Sequence, residues 1–268
     1  MAKAIVLSII AALAVFPLAA AAASETFEWA GGAAARELVI SNAHGDVNVT
    51  VAGDEVAVKA TKSAAKAGDL AGVEIKVEEK GDAVRVWVEY PDESRGGRGA
   101  RVDFDVTVPP GLERFEVSVA SGNAAVAGVG TVAASVASGN LRVSDAAKSV
   151  NASVASGELN VKNPGRATEK LDLNAVSGRL TVEAVLPPAG AEYELAAVSG
   201  DVSLKLLGGA DNYDISASTI SGDVKTTLPL KKRGGLVGSE YEGRAGEGTN
   251  VVSISAVSGS VDISSGSK

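Results

Sequence analysis

A Ser-Gly dipeptide held in one apolar frame recurs seven times in the second half of the chain, with its glycine at Gly122, Gly139, Gly157, Gly178, Gly200, Gly222 and Gly259. The intervals are 17, 18, 21, 22, 22 and 37 residues, the period of stacked structural repeats. Two and four residues beyond the glycine the chain is apolar, as in Leu141 and Val143, Leu159 and Val161, Leu180 and Val182, and Val202 and Leu204. Five and three residues before it the same holds, as in Val117 and Val119, Ala134 and Val136, and Ala152 and Val154. Alternation marks strands with one buried face. The apolar parity changes across Ser-Gly, so each copy is two strands joined at a corner that keeps the inward face inward.

Glycine suits that corner because it accepts positive φ and carries no Cβ to crowd the copy above or below. The serine is expected to hydrogen-bond turn amides locally. A single coil cannot bury its own apolar edge, so the core must come from stacking. The expected fold is all-β: a β-solenoid, a parallel β-helix-like stack of short coils about 30 Å long at ~4.8 Å per copy. An antiparallel sandwich also has short alternating strands, but its turns do not usually repeat one dipeptide in one frame. Only Thr61 to Val73 looks locally helical, and Gly68 and Gly72 weaken it.

Ahead of the array, strand-like runs cover Glu37–Val51, Glu55–Ala60, Val73–Val77, Ala83–Tyr90 and Val102–Val108. The first is a partial repeat in which His44-Gly45-Asp46 replaces Ser-Gly-Asp, which adds Gly45 to the corner glycines. The expected organisation is a leader over residues 1–23, an N-terminal β region over 24–112 that is a cap or an irregular first set of coils, and a repeat solenoid over 113–268 with a Gly-rich insertion at 231–250. A cap is needed because the end of a stack otherwise invites further edge pairing.

The leader MAKAIVLSIIAALAVFPLAAAAASE has an early cation at Lys3, an apolar run from Ala4 to about Leu18, and an Ala-x-Ala site at Ala21 to Ala23. This is the pattern of a secretory signal peptide cleaved before Ser24, and the run is shorter than the ~20 residues a spanning helix needs. No cysteine is present, which excludes a lipid-modified cysteine, disulfides and thiolate metal sites. The remaining 245 residues end directly in a repeat, so the expectation is an exported soluble protein, periplasmic or at the cell surface, with no integral span after cleavage. Net charge is −8, which opposes binding to nucleic acid.

The signal peptide, the strand region, the VPPG turn at Val108 to Gly111 and the tandem Ser-Gly copies together resemble the bacterial putative-adhesin domain family of exported β-repeat proteins. The Gly-rich interruption Lys231 to Asn250 is similar to a loop that often precedes the final repeat in that family. The resemblance covers about Phe27 to Ile263 and implies a β-helix-like fold and an envelope or surface role. It brings no catalytic residues.

Candidate chemistry is sparse. His44 is the only histidine, so histidine-based triads and multi-histidine metal sites lack their parts; a turn residue is the expected role. The residue after each glycine forms a row, and stacking in chain order would set Asp201 above Asp223, two carboxylates within reach of a shared Ca²⁺. The alternative is a solvated turn row with Glu158 beside Arg179 as a surface pair. Two basic loops stand out: Arg95 to Arg101 with three arginines, and the insertion, whose Lys231, Lys232, Arg233, Tyr241 and Arg244 are candidate ligand-binding residues. Neither is a phosphate loop, because no Gly-Lys-Ser/Thr follows. A glycoside hydrolase or lyase needs a cleft with converging carboxylates. Between the first copy and the insertion the only aromatics are Tyr193 and Tyr213.

The functional expectation is therefore a non-catalytic, cofactor-free structural or adhesin-like module that contacts an envelope polymer or protein. A carbohydrate-active or carbohydrate-binding β-helix is the alternative, and a periplasmic accessory domain a third possibility.

Overall fold

Each Ser-Gly copy folds as one level of a two-sheet stack, with a limb on either side of the corner glycine. The structure, a computed structural model, describes residues 23–91, 99–146, 148–208, 211–233 and 238–266, and the backbone alone at 164–166. The signal-peptide expectation thus falls outside the described residues, apart from Ala23. The N-terminal strands are β1 (Ala23–Gly31), β2 (Glu37–His44), β3 (Val47–Val51), β4 (Val56–Ala64), β5 (Glu74–Lys80), β6 (Ala83–Glu89) and β7 (Arg101–Val108). The repeat strands begin with β8 (Arg114–Ser121), β9 (Ala124–Ala127), β10 (Thr131–Ser138), β11 (Leu141–Ser144), β12 (Ser149–Ala167) and β13 (Lys170–Val185). They continue with β14 (Glu192–Ser199), β15 (Val202–Leu207), β16 (Tyr213–Ser221) and β17 (Val224–Thr226), then β18 (Lys231–Arg233), β19 (Ser239–Ala245), β20 (Val251–Ser258) and β21 (Val261–Gly266). The expected helical stretch is strand through Ala64 followed by a single 3-10 turn at Ala67–Asp69. No helix among the described residues is long and apolar enough to cross a membrane.

In the first sheet, limbs before the corner pair in the order β6, β2, β8, β10, β12, β13, β14, β20, β16, all parallel. In the second, limbs after it run β7, β3, β9, β11, β12, β13, β15, β21, β17, also parallel. The solenoid is therefore as the repeat implies, and β2 with β3 make its first level, packed directly on β8 and β9. No break in the core falls at residue 112: one buried cluster runs from Ala35 to Ile263. The remaining N-terminal strands switch to antiparallel pairing, β5 on β6 and β1 on β4 on β7, and end the stack. The edge strand β5, EIKVEEK, is dense in charge, which discourages another chain from adding to it.

The inward positions are those the alternation marks. Leu141, Val143, Leu159, Val161, Leu180 and Val182 are sealed from solvent, and Val117, Val136 and Val154 lie opposite them. Aliphatic side chains fill this narrow interior, with Phe104, Phe115, Tyr193 and Tyr213 as its large aromatic members.

The corners form a continuous column of backbone. A Cβ built on Gly122, Gly139, Gly157, Gly178 or Gly200 would lie 1.6–2.0 Å from the carbonyl oxygen of the preceding level's glycine, an overlap no side chain survives. These glycines also have φ between 137° and 152°. Each level is closed on the next by backbone bonds, with the N–H of Gly45, Gly122, Gly139 and Gly200 donating to the carbonyls of Ser121, Ser138, Ser156 and Ser258 at 2.9–3.0 Å. The serine thus contributes its carbonyl rather than the local hydroxyl bond expected from sequence.

The last two copies stack out of chain order. β20 lies between β14 and β16, and β21 between β15 and β17. From the sixth level the chain skips a position, lays down β16 and β17, and returns to fill the gap with its final copy. The 37-residue interval before Gly259 contains the material for that return.

Two outcomes test this packing. Gly178→Ala is expected to cost more than about 3 kcal/mol or to prevent folding, because both space and φ forbid the methyl group. Gly190→Ala, with φ 85° and open space around its Cβ, is expected to cost only about 1 kcal/mol; equal urea midpoints would refute the column. Burial also holds the Tyr193 and Tyr213 phenols above their ordinary range, so the folded chain keeps protons that the unfolded chain releases near pH ~10. Their contribution to stability is complete below that pH and is lost as pH rises through the folded values. The melting temperature should fall above about pH 10, and less steeply in Tyr193→Phe.

Candidate functional site

The residue after each corner glycine points outward, and the structure gives it a structural task. Asp46 Oδ1 accepts the N–H of Asn123 at 2.7 Å, Asn123 Oδ1 that of Asn140 at 3.0 Å, and Asn140 Oδ1 that of Glu158 at 3.0 Å. Asp103 Oδ1 extends this ladder below Asp46, and Asp201 Oδ1 accepts the N–H of Ser260 at 2.9 Å. Asp and Asn suit the position because a short side-chain oxygen reaches an otherwise orphaned corner amide.

That geometry corrects the expected calcium pair. The level of Gly259 lies between those of Gly200 and Gly222, so Ser260 separates Asp201 from Asp223, and Asp201 is already spent on Ser260. Among the described residues no group of three or more His, Cys, Asp or Glu could hold a metal ion. Glu158 and Arg179 pair at 3.6 Å, both exposed, as the surface-pair reading expects. His44 sits at the first corner, its ring edge-on to Tyr90 with centroids 5.8 Å apart.

The described parts of the two basic loops are tied to the stack. Of the Arg95 to Arg101 loop, residues 92–98 lie outside the described residues; Arg101 itself bridges Asp46 at 2.6 Å and Asp103 at 2.8 Å. In the insertion, β18 and β19 form an antiparallel hairpin, and β19 pairs along the outer edge of β16. Lys231, Arg233 and Arg244 do converge, around a depression of about 330 Å³ that also has Asp214 and Glu242 on its wall. Two of the three are engaged there: Arg233 pairs with Glu242 at 2.6 Å, and Arg244 donates to the carbonyl of Glu247. Lys232 stands 5.9 Å from the Tyr241 ring. The hairpin is an edge cover, and its candidate residues serve that cover first.

The insertion ends in a clamp that sequence reasoning missed. Asn250 is fully buried at the head of β20. Its Oδ1 accepts the Ala191 N–H at 2.9 Å on one side, while its Nδ2 donates to the Asn212 carbonyl at 2.8 Å on the other and to the Pro187 carbonyl at 2.9 Å. One amide thus fastens the inserted level to both neighbours.

Two surface features remain unspent. The first is a trough on the outer face of the second sheet. One hollow of about 340 Å³ is lined by Asp46, Asn48, Asn123, Asn140, Arg142, Glu158 and Asn160. A wider one of about 700 Å³, with Trp29, Ala30 and Val106 as well as Asn48, Thr50, Lys59, Asp105 and Thr107 on its walls, adjoins it at the shared Asn48. The second feature is an apolar ridge two residues before the corner on the first sheet. In space it reads Val176, Val198, Val257, Ile220, one side chain per level, and these are 53, 51, 47 and 59% exposed.

The early levels do the opposite. Val119, Val136 and Val154 are buried and Ala120, Ala137 and Ala155 exposed, whereas in the ridge levels Ala175, Ala197 and Ala256 are buried and the valine faces water. The signal was present in sequence as a change of frame from VASG to AVSG. Its continuity was not, because Val257 joins Val198 to Ile220 only through the exchanged stacking order.

The family model described as Toastrack DUF4097 matches residues 31–264. No curated protein sequence matches the chain. Among solved structures, a putative cell adhesion protein from Clostridium sporogenes is 13% identical, with 92% of this chain and 100% of that chain covered at a TM-score of 0.36. Putative adhesins from Bacteroides fragilis and Parabacteroides distasonis are each 10% identical. The first covers 90% of this chain and 96% of its own at a TM-score of 0.38, the second 91% and 97% at 0.35.

Asn250→Ala is expected to destabilise the protein by about 2–4 kcal/mol, because it strands a buried N–H and buried carbonyls. Protection of the β20 amides against hydrogen exchange should fall with it; a variant as stable as the parent would remove the clamp from the account.

Proposed function

This chain belongs to the Toastrack DUF4097 family, and we propose that it serves as an exported, non-catalytic structural or adhesin-like binding module of the cell envelope. The observation that carries the reading is the ridge. Burying the smaller side chain and exposing the larger one at successive levels runs against the hydrophobic driving force, and a contiguous exposed apolar strip is a mark of an interaction surface. The interior does not demand the exchange, since the earlier levels accommodate valine at the same inward position.

The carboxylates of the stack favour a non-catalytic role. Asp46 is held by Arg101 and the Asn123 amide, Asp201 by the Ser260 amide, and Glu158 pairs with Arg179. Groups committed to backbone and arginine partners are poorly placed to exchange protons with a substrate. The charged edge strand β5 and the hairpin over β16 discourage strand addition at those two edges, which favours the faces for recognition.

The decisive comparison is co-sedimentation of the exported protein with isolated cell envelopes, for the parent and for Val176→Ser, Val198→Ser and Val257→Ser combined. The bound fraction is expected to fall several-fold while the melting temperature changes little, because these side chains are half exposed. Equal retention of parent and variant would reject the ridge as the contact.

A further inference from the structure

We propose that the trough on the outer face of the second sheet is a binding site for an uncharged polysaccharide chain lying along the stack axis. The inference rests on the reading of this protein as an envelope binding module, and it assigns a second face to that module with a ligand class of its own.

The trough has the chemistry of hydroxyl recognition. Asn48, Asn123, Asn140 and Asn160 offer amides that both donate and accept, and Arg142 in their midst pairs with no carboxylate among the described residues. The Oδ1 of Asn160 has no hydrogen-bond partner in the protein and lies under the wall of the hollow, a costly condition for an amide oxygen that a ligand hydroxyl would relieve once the side chain turns outward. The ladder uses the single amide oxygens of Asn123 and Asn140, and the amide nitrogens of Asn48 and Asn123 donate to Asp105 Oδ1 at 3.1 Å and Asp46 Oδ1 at 3.0 Å, which holds these side chains in place and leaves each amide a further N–H to offer. The site is thereby ordered before any ligand arrives.

Its direction follows from the repeat. One amide stands on each of four successive levels, Asn123 and Asn140 directly after the corner and Asn48 and Asn160 two residues further on, with the levels ~4.8 Å apart, so a ligand that meets several of them must run along the stack. The small outward residues Thr50, Ala57 and Thr107 leave the floor of the wider hollow open. A polymer with hydroxyls at regular intervals fits this better than a compact ligand.

Charge selects the neutral class. Asp46 pairs with Arg101, Glu158 with Arg179 and Glu28 with Lys59, Arg142 and Asp105 on the walls add one charge of each sign, and the chain as a whole carries −8. An anionic polymer would be repelled at long range without a compensating cationic groove.

The test is calorimetric titration of the exported protein with neutral hexasaccharides of the glucan and chitin types, and with polygalacturonate as the anionic probe. Binding of a neutral oligosaccharide is expected, weakened about tenfold by Arg142→Ala and by Asn160→Ala and unchanged by Val198→Ser, with melting temperatures near the parent's. Failure of both neutral probes to bind, equal affinity in the trough variants, or preference for polygalacturonate would each overturn the proposal. Envelope co-sedimentation that survives in the trough variants and is lost in the ridge variants would leave the binding-module reading intact while this site fell; loss of co-sedimentation in neither set would count against the module itself.

Discussion

Backbone touches backbone at every corner of this protein, and the rest of the architecture follows from that contact. The stack can rise by one interstrand spacing per level only if nothing projects from the corner, since a Cβ on Gly178 or Gly200 would occupy the carbonyl oxygen of the level before it. Glycine is therefore required twice, once for its positive φ and once for its missing side chain. With the corners stacked, both limbs of each level come into register with their neighbours, and the inward valines and leucines meet across a thin core. The short oxygen-bearing side chain after the glycine completes the arrangement by taking the next level's amide.

A stack held by such uniform contacts does not by itself dictate which copy sits on which. Every level presents the same backbone edge, so the chain can leave a position empty and fill it later, provided the return is long enough and the final edge is covered. Here the hairpin of β18 and β19 covers β16, and Asn250 ties the late-arriving level to both sides. The insertion thus belongs to the closing of the fold. Arg233, Lys232 and Arg244 sit against Glu242, Tyr241 and a backbone carbonyl, so these side chains also hold the cover in place.

The two sheets turn different surfaces outward. Beyond the corner, amides and compensated charges form a polar trough toward the N-terminal end; before it, an aliphatic ridge runs along the C-terminal levels. The two lie on opposite limbs and at opposite ends of the stack, so one repeat supports two kinds of contact through its outward residues, with the inward position beside the ridge changing from valine to alanine.

Much of this was legible in the residues. The period, the corner glycines from Gly45 to Gly259, the inward face of each limb and the strand runs from Glu37 to Val108 all rest on local rules: alternation with period two, and the steric freedom of one residue type. The ladder roles of Asp46, Asn123 and Asn140 were half visible as a row. By itself the sequence determined a stack of two-limbed coils with a defined interior, because those constraints act within a few residues. Only the tertiary structure decided that the Gly259 level lies between those of Gly200 and Gly222. That choice depends on pairing between strands 37 residues or more apart, across edges that are chemically alike, and no local pattern distinguishes them. From it follow the separation of Asp201 and Asp223, the burial of Asn250, and the joining of Val198, Val257 and Ile220 into one surface.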